Sequence, residues 1–133
     1  MKPNAFLVVS CVLCACSLHA MSAANAQGKN TSGPDQIKAM LLRPAGWKAN
    51  WSLQADKGVS EIVFETRGDK VVAKIRNLTI PTTCEHDVTI TSDTVIFNGC
   101  YDWDITLRFD PGDQATPFKG KSGSGYDYSL QPM

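Results

Sequence analysis

Apolar and polar positions along this chain follow three rhythms in succession. Residues 5–18 form an almost unbroken apolar run, AFLVVSCVLCACSL. Ile37, Met40 and Leu41 then fall at i, i+3 and i+4, the spacing that lays one stripe along a short helix. Ser32 stands where a capping side chain would, with Pro34 and Asp35 in the first turn. Arg43-Pro44 ends the segment, because a residue before proline avoids helical angles. From Gly46 the period drops to two. Trp47, Ala49, Trp51 and Leu53 alternate with Lys48, Asn50, Ser52 and Gln54, so strand geometry turns both tryptophans to one inward face.

The same alternation recurs at short intervals. Residues 59–66 and 70–78 predict the second and third strands, Val88 with Ile90 marks a fourth, and residues 95–97 a fifth. Turns are predicted at Asp56-Lys57-Gly58, Arg67-Gly68-Asp69 and Ser92-Asp93, and Pro81 interrupts the pattern because it cannot donate to a sheet ladder. Asn98-Gly99 predicts a two-residue hairpin, since both residues accept positive φ at low cost. In the sixth strand Tyr101, Trp103, Ile105, Leu107 and Phe109 share one face, with Asp102, Asp104, Thr106 and Arg108 on the other. A short strand near Phe118, a glycine-rich loop (Gly120, Gly123, Gly125) and a last strand carrying Tyr126, Tyr128 and Leu130 complete the chain.

Seven or eight strands joined by tight turns predict an all-β antiparallel up-and-down meander. That many strands close into a small barrel, with a β-sandwich as the alternative. A barrel of about eight strands is just wide enough to be filled by its own side chains or to hold one small ligand. The inward set, Trp47, Trp51, Phe64, Ile75, Tyr101, Trp103, Leu107, Phe109 and Tyr128, predicts a packed interior.

The opening segment reads as a leader. Lys2 precedes the apolar run, and Ala24-Asn25-Ala26 offers a small-x-small cleavage pattern before Gln27, which predicts a signal peptide over residues 1–26. The run of about 14 residues is shorter than the about 20 needed to span a bilayer. Leu13-Cys14-Ala15-Cys16 partly resembles a lipoprotein box, the alternative being an anchor at Cys16. Residues 27–36 read as a disordered lead and 37–133 as a single barrel domain. The mature chain keeps 107 residues with 12 basic and 13 acidic side chains, dispersed along its length. That balance argues against a nucleic-acid footprint and against a basic cluster for anionic lipids. No second long apolar run follows, and a monomer is expected. Only Cys84 and Cys100 remain, which predicts one structural disulfide in an oxidising compartment, periplasmic or secreted.

Candidate chemistry is sparse. His86 between Glu85 and Asp87 cannot assemble a transition-metal site alone and reads as a polar residue near the disulfide. Asp102, Asp104, Asp110 and Asp113 are the densest acidic group, a candidate calcium cluster of hard oxygen ligands or a solvated strand face. Such carboxylates are also the route to a hydrolase, which needs a pair about 5–10 Å apart. Neither Gly-x-Ser-x-Gly nor an ordered phosphate loop is present, so no catalytic residue and no cofactor is assigned. Trp47, Trp51, Tyr126 and Tyr128 form a candidate ring-stacking pocket, with plain core as the alternative. Asn30, Asn50 and Asn77 begin glycosylation sequons.

A short helix, Gly46-Trp47 entering the first strand, and a meander ending on aromatic strands resemble the small calycin-type barrels over residues 37–131. These include ligand-carrying lipocalin or avidin-like proteins and the small, exported, disulfide-bridged bacterial lysozyme inhibitors. The resemblance is one of architecture. Gly46-Trp47 lacks the spacer of the lipocalin Gly-x-Trp, and no functional residue carries over. The expectation is an exported, non-enzymatic binding module engaging a protein or envelope partner through loops or a strand face. A small-ligand carrier with a shallow aromatic-lined pocket is the alternative, favoured by a cavity of about 300 Å³ or more. A hydrolase using surface carboxylates stands third.

Overall fold

Eight antiparallel strands pair in chain order, and the first pairs back onto the last, so the sheet closes into a barrel. The computed structural model describes residues 33–100 and 103–133. The leader, the alternative anchor at Cys16, Ser32, and Tyr101 and Asp102 lie outside them. The elements are α1 (Pro34–Leu41), β1 (Trp47–Leu53), β2 (Asp56–Arg67), β3 (Lys70–Asn77) and β4 (Thr82–Ile90), then β5 (Thr94–Asn98), β6 (Asp104–Phe109), β7 (Phe118–Ser122) and β8 (Asp127–Pro132).

Helix α1 begins with Pro34 and Asp35 in its first turn, as expected, ahead of the apolar stripe that starts at Ile37. Pro34 supplies a helical φ at its first turn, and Gly33, at φ 57°, is the capping residue without a side-chain bond. Residues 34–36 of the expected lead are therefore helical. Ile37 and Leu41 are fully buried while Met40 is exposed. Burying two such side chains contributes about 1.5–3 kcal/mol each. The helix sits at the barrel end that also holds the β4–β5 turn and the β6–β7 connection, and backbone at Ser92 lies beside Gly33. Trp47 locks it there: its Nε1 donates to Leu41 O at 3.1 Å, satisfying one of the carbonyls that a helix end leaves open. The indole also meets Phe118 edge-on at 5.4 Å, with the Arg43 guanidinium 5.5 Å from its ring. Phe64, Phe97 and Leu130 fill the same half of the barrel.

Two expected turns fall elsewhere, each for a local reason. Gln54-Ala55 make the first hairpin turn, with Leu53 paired to Asp56 and Gln54 at φ 57°. Asp56, Lys57 and Gly58 are strand, because Gly58 pairs with Trp51 and leaves the space its indole occupies. Nor does the chain turn at Asn98-Gly99. Asn98 pairs with Asp104, and Gly99 N donates to Trp103 O at 2.8 Å. The cause is the Cys84–Cys100 disulfide, with Cα atoms 5.6 Å apart. Reaching Cys84 requires the chain to run on past Gly99 alongside β4, whose first residues lie beyond its Val88–Ile90 pairing with β5. As a result β6 begins only at Asp104, and Trp103, expected inward, stands 52% exposed in the loop.

Candidate functional site

Loops 54–55, 78–81 and 123–126, with Gly99, Cys100 and Trp103, surround the barrel end opposite α1. There the interior is open. A cavity of about 260 Å³ lies between inward side chains at the mouth ends of the strands. Ile62, Ile75 and Ile105 form apolar walls, Trp51, Tyr126 and Tyr128 stand on one side, and Ile80, Cys100 and Trp103 border the entrance. The expected packed interior therefore holds for the helix half alone. Volume remains at the mouth because nothing corresponding to α1 plugs it among the described residues, and Trp103 stays on the rim.

The aromatic side is fixed in place. The Trp51 indole lies over Gly58 and donates from Nε1 to Ser60 Oγ at 3.3 Å. Tyr126 packs edge-on against it at 5.6 Å and donates its hydroxyl to Asp56 Oδ2 at 2.7 Å. That hydrogen bond to a carboxylate holds the Tyr126 phenol above the usual range. Burial, then the neighbouring Tyr126, raises Tyr128. Opposite Ser60 on β3 is Asn77, 8% exposed, whose Oδ1 accepts from Thr79 N at 3.0 Å and Ile80 N at 2.9 Å. On the rim, Trp103 leans on Gly123, where a β-carbon would meet its Cε3 at 3.2 Å.

Of the four residues expected to form a ring-stacking pocket, the structure brings together Trp51, Tyr126 and Tyr128. Trp47 is not among them: it lies in the helix-side core, held by Leu41 and Phe118. Ser60, Asn77, Ile80 and Trp103 line the mouth without having been singled out as binding residues. For Ser60 and Asn77 the signal was present, as polar side chains at the inward parity of Ile62 and Ile75. The Asn77 sequon is buried and hydrogen-bonded, and Asn50 donates to Gln131 at 2.9 Å.

Asp104 does not converge with Asp110 and Asp113. Asp104 begins β6 and Asp110 follows its end, about 20 Å along the strand. Asp104 Oδ1 accepts from Asn98, while Asp110 caps Gly112 N. Asp113 accepts from Lys119 Nζ at 2.8 Å and from Thr116 N and Oγ1 at 3.0 Å each, bonds that hold its carboxyl at about 2. Among the described residues no group of three or more metal-ligating side chains forms, so the calcium reading finds no cluster; Asp102 lies outside them. His86 sits half-buried on β4 opposite Ala73. On the outer wall, Arg67–Glu85, Lys70–Asp87, Arg108–Asp93 and Lys121–Asp127 are ion pairs. No helix of the described residues is long and apolar enough to cross a membrane. Comparisons with protein-family models, curated proteins and solved structures find no match.

Proposed function

We propose that this barrel is a non-enzymatic carrier that holds a small, uncharged, ring-bearing ligand in its mouth, in a periplasmic or secreted setting. The observation that supports this reading is the aromatic wall of Trp51, Tyr126 and Tyr128 around the mouth cavity, whose 260 Å³ falls a little short of the about 300 Å³ expected of a carrier and restricts it to small ligands. A dry apolar cavity of about 150 Å³ suffices for benzene, and pockets for larger ligands start near about 300 Å³. The mouth is thus sized for one or two fused rings. Aromatic walls contribute stacking and edge contacts beyond simple area burial. The disulfide that shapes the entrance suits an oxidising compartment.

Native mass spectrometry of the protein purified from its exported compartment tests the proposal. A small non-covalent adduct, lost when Ile105→Trp fills the cavity, is the expected result. A bare monomer that also fails to take up single- and double-ring probes would overturn it. A second reading has its own support: Leu78, Ile80 and Trp103 are exposed around the mouth. A protein partner seated on that rim would appear in the same spectrum as a complex of protein-sized mass.

A further inference from the structure

Building on the carrier reading, we infer that the mouth selects a neutral ring bearing a hydrogen-bond acceptor, and seats it acceptor-first against Asn77. Asn77 ends β3 at inward parity and lines the cavity while nine-tenths buried. Two backbone amides already occupy its Oδ1, which fixes the orientation of the side-chain amide. Its Nδ2 makes no hydrogen bond to another described residue and is not sealed from solvent, so a ligand oxygen can replace water as its acceptor.

The neighbouring polar groups have the same polarity. Ser60, 4% exposed and directly opposite Asn77, accepts from Trp51 through Oγ and keeps its own hydroxyl proton to give. Tyr128 also lines the cavity, and burial favours the protonated form of its hydroxyl. Three donor-bearing residues lining one apolar space are complemented by a carbonyl oxygen. Among the described residues that line the cavity there is no Asp, Glu, His, Lys or Arg. A charged ligand would therefore gain no counter-charge from these residues in exchange for its lost hydration. The ring itself lies among Ile62, Ile75, Ile105 and Trp51. Because Gly58, Ser60 and Tyr126 already hold Trp51 in position, little ordering is needed on binding.

The test is calorimetric titration of the mature, oxidised protein with coumarin and with 2H-chromene, its analogue without the carbonyl oxygen. Coumarin is expected to bind more tightly. Asn77→Asp keeps two acceptors for Thr79 N and Ile80 N but replaces the free donor, so the coumarin-to-chromene affinity ratio should fall about 10-fold. Tighter binding of chromene by the wild-type protein, or an unchanged ratio in a folded N77D protein, would overturn the inference and leave the carrier reading standing. Should N77D fail to fold, the wild-type comparison decides alone. Failure of both probes to bind would overturn the carrier reading itself.

Discussion

Replacing Gly58 by alanine sets two effects of opposite sign against each other. In an ordinary strand the substitution stabilises, by about 0.5–1 kcal/mol, because glycine loses more backbone freedom on folding. Here the new β-carbon would stand 2.1 Å from Trp51 Cζ2, 2.4 Å from Cη2 and 2.5 Å from Thr79 Oγ1. None of these distances is tolerable, so the indole must move. Moving it breaks the Nε1 bond to Ser60, at about 0.5–1.5 kcal/mol. It also breaks the edge contact with Tyr126, at a similar about 0.5–1.5 kcal/mol. Thr79 Oγ1, which accepts from Val59 N at 2.9 Å, is displaced as well. The net expectation is a loss of about 2 kcal/mol, inside the about 1–3 kcal/mol typical of an overpacked site. For a domain of about 100 residues that lowers the melting temperature by about 8 °C. Urea denaturation followed by tryptophan fluorescence measures it. A G58A protein as stable as the parent, or more so, refutes the steric account. So would additivity with Trp51→Phe, whose smaller ring should relieve the clash and give a coupling above about 1 kcal/mol.

Further expectations follow from other parts of the barrel. Replacing Cys84 and Cys100 together by alanine opens a loop of 16 residues. The chain-entropy model puts this at about 3 kcal/mol, or about 12 °C in thermal melts under oxidising conditions, and an unchanged melt would remove the bridge from the stability account. Asp113 ionises at about 2, below its ordinary value, so its contribution to the 110–117 loop is complete above about pH 4 and lost as pH falls through about 2. Chemical shifts of the Thr116 amide should follow that same range; a midpoint near 4 would contradict it. Tyr126 is shifted upward, so its bond to Asp56 persists until the pH exceeds the usual phenol range, and Asp56→Asn should bring its ultraviolet titration back down. Trp47→Phe keeps most of the apolar area but strands Leu41 O, so it should destabilise by about 1–3 kcal/mol while leaving probe binding at the mouth intact.

Strand identity was plain wherever inward and outward residues alternate without interruption, as from Trp47 to Leu53 or from Ile105 to Leu107. It failed where a residue's role depends on a partner distant in the chain. Gly58 looks like a turn residue until Trp51 is placed over it. Asn98-Gly99 looks like a hairpin until Cys100 is drawn to Cys84, which also moves Trp103 from an inward position to the rim. The cavity was illegible for a related reason. Alternation tells which side chains face inward, but not which end of the barrel a helix will fill. Trp47 and Trp51 share a face and differ by one repeat. One became core beneath α1 and the other the wall of a pocket.

The strands that line the cavity are thus anchored in the filled end and reach the open one. Trp47 and Trp51 divide β1 in this way, and Leu130 and Tyr128 divide β8. Stability and recognition are inscribed on shared strands but at different depths, with the positions around Ala49 and Leu107 as the boundary. Substitutions on the two sides of that boundary should be largely independent. A library varied only at Ile75, Ile80, Trp103, Ile105, Tyr126 and Tyr128 could explore new ligands while the helix-sealed end keeps the chain folded.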